Sequence, residues 1–378
     1  MIDFSHLQDF LRPVSKTQIN DDEPYEHLQI GSSIDVYEED NIPDLDAADI
    51  VLLGAGETRG NGLPNGRTDA PDVVRREFYR LFHWHQDVRL ADAGNLLSGR
   101  SLNDAYAAYK SVVTELIDAG KTVIILGGSH DLTYAQYQAY AMKKYIIEVT
   151  VADALIDLQE TEVRSQNFLL NMFMEQPNYI RHYNHIGFQS YFVQPRMLET
   201  LDKLRFDCYR LGKVRENIEE IEPVLRNTDL FSVDINMIKH TDAPASSLSP
   251  NGFSGEEACA LSRYAGMSSQ LSTYGIYGYN PDKDRDNLTA KQIAQMLWYF
   301  MDGRSVKNKE AQLIHRESFL EFHIAFTDID TIFLKSKKTG RWWMQLPDKN
   351  FVPCAYSDYL LASNNEIPER WLRSQERL

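Results

Sequence analysis

Short apolar runs alternate with amphipathic stretches along most of the chain, and this alternation constrains the fold more than any other feature. The runs are "DIVLLGAG" (49–56), "DVRLADAG" (87–94), "KTVIILGG" (121–128), "IIEVTVAD" (146–153), "HIGFQSYF" (185–192), "TDLFSVDI" (228–235) and "LSTYGIYGY" (271–279). Several are apolar almost throughout, as strands covered on both faces are. "ESFLEFHIAF" (317–326) reads as an eighth. The intervening segments read as helices. Tyr106, Tyr109, Val113, Leu116 and Ile117 recur at helical spacing, and Gly120 closes that segment. Ser254 followed by Glu257 forms a capping box, and Ile293, Met296, Leu297 and Phe300 share one face of 289–304. Strand–helix alternation implies an α/β fold: a mostly parallel sheet of roughly eight strands between two helical layers. Ligands of such folds lie outside the carboxyl ends of the strands.

The 378 residues accommodate this α/β domain over 49–330 with two additions. Residues 1–48, acidic and weakly patterned, read as an extension packed on the core. Residues 331–378 read as a hairpin and tail, with a turn at Thr339-Gly340 inside the basic "KSKKTGR" and with Trp342 and Trp343 as packing residues. A net charge of −16 repels phosphate backbones and argues against nucleic acid as a partner. No apolar run reaches the roughly 18 residues of a membrane span, and the first residues lack a secretory pattern. Three scattered cysteines, Cys208, Cys259 and Cys354, fit a reducing cytoplasm rather than a disulfide framework or zinc site.

Polar residues gather where strands end. His130 follows a Gly-Gly pair, Asp153 and Asp157 follow the fourth run, and Asp234 and Asn236 end the sixth. In extended chain 153, 155 and 157 face one side, as do 234 and 236. A lone histidine after Gly-Gly is more often structural, and an aspartate at a strand end often caps the next helix. Together, one imidazole and three carboxylates in one crevice make a divalent-metal site. Leu155 interrupts the pattern.

The three strand ends resemble the signature motifs of the ureohydrolases, the arginase, agmatinase and formimidoylglutamase group. The chain has Gly127-Gly128-Ser129-His130 for Gly-Gly-x-His and Asp153-Ala154-Leu155-Ile156-Asp157 for Asp-Ala-His-x-Asp. It has Ser232-Val233-Asp234-Ile235-Asn236 for Ser-x-Asp-x-Asp. "LLGAGETRGNGLPNGRTDAPDVVRREFYRL", "LADAGNL", "DAPASSLSPNGFSGEEA" and "YGYNP" are similar to further family segments, so the likeness spans about 49–330 in order. It implies an arginase-like three-layer α/β/α fold, a homo-oligomer, and a centre in which two manganese ions activate water against an amidine or guanidinium carbon. The first ion's ligands carry over to His130, Asp153, Asp157 and Asp234. The second ion's own ligands fall on Leu155 and Asn236, which supply no lone pair and only a neutral oxygen. The family's substrate-anchoring glutamate falls on Gly278, and its Asp-Pro on Lys239-His240. The resemblance therefore implies at most one divalent ion, manganese, with no catalytic base assigned. Lys239 stands where an ammonium would pair with carboxylates left without metal. Three readings follow: a degenerate centre with weak or no arginase or agmatinase activity, an active one-metal formimidoylglutamase-like hydrolase of small amidines, or a non-catalytic scaffold. The "GGSHD" loop favours formimidoylglutamase-like ancestry.

Overall fold

The chain opens with two short strands, Leu11–Arg12 (β1) and Asp35–Val36 (β2). Eight parallel strands follow: Ile50–Ala55 (β3), Leu90–Leu96 (β4), Thr122–Gly127 (β5), Ile147–Ala152 (β6), Ile180–Phe188 (β7), Asp207–Arg210 (β8), Leu230–Asp234 (β9) and Thr273–Tyr277 (β10). The structure is a computed structural model that describes residues 2, 4–63, 66, 68–327 and 329–376. These strands form one ten-stranded sheet in the order β1-β4-β3-β5-β10-β9-β6-β7-β8, with β2 also on β4. Only β1 runs antiparallel to its neighbour. The N-terminal extension thus packs on the core by adding β1 and β2 beside β4.

Helices cover both faces. Ile50 and Leu52 of β3 turn to one face, against the helices Ala70–Tyr79, Gly255–Gly266 and Leu288–Lys309, while Val51 and Leu53 turn to the other, against Leu102–Asp118, Leu132–Met142 and Arg164–Met174. Alternate residues of one strand therefore meet two cores, which explains why the strand reads as a continuous apolar run. The expected capping box is present: Ser254 Oγ accepts from the Glu257 N–H at 3.2 Å and Glu257 accepts from the Ser254 N–H at 2.7 Å. Gly120, at φ +74°, turns the chain after Leu102–Asp118 in the left-handed conformation.

The expected eighth strand, 317–326, is a strand of a different sheet. Phe319–Phe326 (β11) pairs with Ile329–Ser336 (β12), which pairs with Trp342–Gln345 (β13) and then Phe351–Cys354 (β14), all antiparallel. The main sheet takes β8, "DCYR", as its eighth parallel strand instead. Four residues with three polar side chains give little hydrophobic signal, as befits a sheet edge. A boundary at 330 cuts β12; the second sheet begins at β11 and is continued by two helices, Tyr356–Ser363 and Glu369–Glu376. Gly340, at φ +76°, makes the turn between β12 and β13. Trp342 and Trp343 pack in separate clusters on opposite faces of this sheet. Arg226 of the core binds the Trp342 carbonyl at 2.6 Å and lies 4.5 Å over the Trp343 ring, and Arg373 of the last helix pairs with Asp207 in β8.

One buried ion pair fixes the helix Ala70–Tyr79 to the end of β4. Arg75 is fully buried, and its five N–H donors meet Asp92 at 2.7 and 2.9 Å, Asp72 at 2.8 Å, Asn95 at 2.6 Å and the Gly94 carbonyl at 2.9 Å. Tyr79 donates a further bond to Asp92 at 2.6 Å. Removing the cation strands a carboxylate that is itself 0% exposed. Arg75→Met is therefore expected to lower unfolding free energy by about 3–5 kcal/mol, measured by urea denaturation.

Candidate metal centre

Four adjacent strands end level with one another. Ile276 of β10 pairs with Leu126 of β5, Tyr277 pairs with Asp234 of β9, and Val233 pairs with Ala152 of β6. The last strand, β10, is inserted between β5 and β9, so the order of connection reverses here and opens a crevice at the strand ends. After β5 the Gly128 and Ser129 N–H groups bond to the carbonyls of Ala55 and Glu57, each at 2.8 Å. A Cβ on Gly128 would lie 2.0 Å from the Glu57 oxygen, so only glycine permits this approach. The chain then turns into Leu132–Met142 and sets His130 at the crevice.

His130, Asp153, Asp157 and Asp234 meet there, between 2% and 5% exposed. His130 Nδ1 lies 3.3 Å from Asp153, 3.2 Å from Asp157 and 3.6 Å from Asp234. The contacts are poorly aligned, and this buried nitrogen makes no hydrogen bond. Its other nitrogen, Nε2, lies 3.1 Å from Ser232 Oγ, which is 2.6 Å from Thr133 Oγ1. In the neutral ring a proton on Nε2 toward Ser232 would leave the Nδ1 lone pair facing the carboxylates. An imidazole nitrogen buried against three carboxylates calls for a positive charge, either a proton on the ring or a cation between the groups. The donors of His130, Asp153 and Asp157 all fall within 4.8 Å of one another, and Asp234, outside that group, lies 3.6 Å from His130 Nδ1. These groups fit a divalent ion.

Without a cation the cluster holds protons. Burial raises Asp153 to about 6, with His130 opposing and Asp157 adding to the rise. Burial and the Asp153 charge raise Asp234 to about 7, and burial raises Asp157 as well. Burial alone would lower His130, but Asp153, Asp157 and Asp234 outweigh it and hold the imidazole well above its usual range.

The other expected positions are arranged differently from one another. Leu155 is half-buried and contributes its N–H to Asp153 at 3.2 Å, and the Asn236 N–H bonds Asp234 at 2.7 Å. Both residues thus hold first-ion aspartates through the backbone. Lys239 does not replace a metal: its ammonium pairs with Asp242 at 3.2 Å, and His240 bonds the Ser246 carbonyl at 2.8 Å. Gly278 sits at φ +82°, and a Cβ there would lie 2.7 Å from Asp234 Oδ1. A side chain there would be strained by the backbone and would push on the Asp234 carboxylate, at the position where the resemblance expects an anchoring glutamate. Asp131, next to His130, is bonded instead by the hydroxyls of Ser129 and Tyr106. Ser232 was visible in the third motif without an assigned role. Thr133 and the pair Tyr183 and His185 carried no sequence signal beyond their places after β5 and in β7.

The Arginase family model matches residues 48–302. The chain belongs to the arginase family. Among curated relatives, the formimidoylglutamase of Vibrio cholerae is 24% identical over 279 residues, 66% of this chain and 82% of that protein. The formimidoylglutamase of Staphylococcus haemolyticus is 23% identical over 303 residues, 74% and 94%. Among solved structures, the formimidoylglutamase of Bacillus subtilis aligns with a TM-score of 0.66 at 18% identity, covering 80% of this chain and 99% of that one. The Trypanosoma cruzi formiminoglutamase with Mn2+ aligns with a TM-score of 0.62 at 19% identity, covering 68% and 94%. These structures share the arginase fold with this chain.

Two outcomes follow from the geometry. A divalent ion must displace protons held at about 6 by Asp153 and about 7 by Asp234. Affinity for Mn2+ is expected to rise as pH increases from 5.5 to 7.5, on the order of tenfold per pH unit for each proton displaced, measured by calorimetry in buffers of different ionisation enthalpy. Gly278→Ala is expected to cost roughly 1–3 kcal/mol of stability and to weaken Mn2+ binding by displacing Asp234, measured by thermal denaturation and metal titration.

Proposed function

We propose that this arginase-family chain carries a mononuclear metal centre, with His130, Asp153, Asp157 and Asp234 holding one divalent ion, Mn2+, and that it hydrolyses arginine and agmatine weakly or not at all. The observation that carries this reading is the convergence of those four side chains around the unpaired His130 Nδ1. Beside them, positions 155 and 236 offer a hydrocarbon and an amide in place of an imidazole and a carboxylate. An ion bound here supplies Lewis-acid chemistry and makes water a nucleophile near neutral pH. The chain's own part is to hold the carboxylates in register, to keep Nδ1 free through the Ser232 contact, and to keep the cluster buried. Closure of position 278 removes the carboxylate that would bind a guanidinium, which weighs against arginine and agmatine.

A second reading, a one-metal hydrolase of formimidoyl or other small amidine substrates, is favoured by the formimidoylglutamases among the relatives. We place this activity, or its loss, in a cytoplasmic homo-oligomer. Its catalytic domain begins near residue 49 and ends before β11, and the second sheet forms a separate C-terminal unit.

Turnover of arginine, agmatine and formimidoylglutamate with added Mn2+ separates the readings. Glutamate and formamide released from formimidoylglutamate alone support the hydrolase, no turnover supports the degenerate centre, and arginine hydrolysis at an ordinary enzymatic rate contradicts both. Leu155→His combined with Asn236→Asp is expected to raise the bound Mn2+ from one equivalent to two, measured by elemental analysis. An unchanged count would show that surrounding groups have also diverged.

A further inference from the structure

The carbonyl of Asp153 lies just past the ladder between β6 and β9, whose last pair is Ala152 with Val233. On the β7 side the Asp153 N–H still reaches the Ile186 carbonyl at 3.1 Å. The Asp153 carbonyl is met by a side chain, His185, whose Nε2 lies 3.2 Å away. A carbonyl only accepts, so Nε2 carries the proton and Nδ1 is an acceptor in the neutral ring. Tyr183 fills that role: its hydroxyl is 2.8 Å from His185 Nδ1 and donates to it. Tyr183 and His185 are two residues apart on one strand and so point to the same side. Both are 0% exposed, so bulk solvent does not reach the ring.

We propose that His185 is a positioning residue for the metal centre: oriented by Tyr183, it clamps the Asp153 peptide and so aims the Asp153 carboxylate at the ion. The inference rests on the reading of Asp153 as a ligand. It assigns to β7, which supplies no ligand of its own, the geometry of one. With the clamp removed, Asp153 keeps its N–H bond to β7 but its carbonyl is free to rotate, and the chain beyond it moves, including the Leu155 N–H that bonds the Asp153 carboxylate at 3.2 Å.

The test is Co2+ titration of the full chain, following affinity and the d–d absorption band that reports ligand geometry. His185→Leu is expected to weaken Co2+ binding about 10–100-fold and to shift the band. His185→Gln keeps an N–H near the Nε2 position and is expected to stay within about threefold of wild type. Packing alone would not distinguish glutamine from leucine in this way. Tyr183→Phe keeps the ring's shape, serves if His185→Leu does not fold, and is expected to shift the same band with a smaller loss. If Asp153→Asn weakens binding while His185→Leu or Tyr183→Phe binds with wild-type affinity and spectrum, the clamp is wrong and the ligand assignment stands. If the wild type binds no Co2+, the ligand assignment fails and the clamp with it.

Discussion

Three buried carboxylates point at one imidazole nitrogen, and much of the site is arranged around their mutual repulsion. Two like charges about 4 Å apart repel by roughly 4 kcal/mol at an effective dielectric near 20. Asp153, Asp157 and Asp234 are almost wholly removed from water, so such a cluster survives only with protons or a cation between its members. The raised proton affinities of all three acids and of His130 are the proton-filled form of that balance. A divalent ion is the other form: it would take the place of those protons, with Nδ1 turned toward it.

The sheet makes this concentration of charge possible. Parallel strands β5, β10, β9 and β6 end in register, so residues far apart in sequence arrive at one depth. Backbone N–H groups of Leu155 and Asn236 hold two of the aspartates, and Ser232 and Thr133 hold the back of the imidazole. Asp153, Asp234 and His130 are thus each held from behind. Leu155 and Asn236 stand where the family resemblance expects the second ion's own ligands, and Gly278 packs directly against Asp234.

Much of this was legible in the chain. Seven of the parallel strands leave apolar runs because both faces are covered, although β7 spans Ile180–Phe188, so the run at 185–192 marks only its last four residues and continues into a turn; the capping box at Ser254 and Glu257 forms as its spacing implies. His130, Asp153, Asp157 and Asp234 were legible because strand ends converge in an α/β fold. β8 was not, since its few polar residues lie at an edge and bury little. β11 was misplaced because periodicity reports a strand and not the sheet it joins. The pairing of Lys239 with Asp242 was not legible either: a charge in sequence does not say which way its side chain turns. Nor was the closure of position 278, which depends on a positive φ and on how near Asp234 lies.

The central claim is that one ion, and only one, belongs between these four side chains. A crystal structure of the Mn2+-loaded protein with anomalous data at the manganese edge tests it most directly. The account predicts a single peak in the centre, bonded by His130 Nδ1 and by Asp153, Asp157 and Asp234, and no density for an ion beside Leu155 and Asn236. Two peaks, or none with Mn2+ in excess, would contradict it.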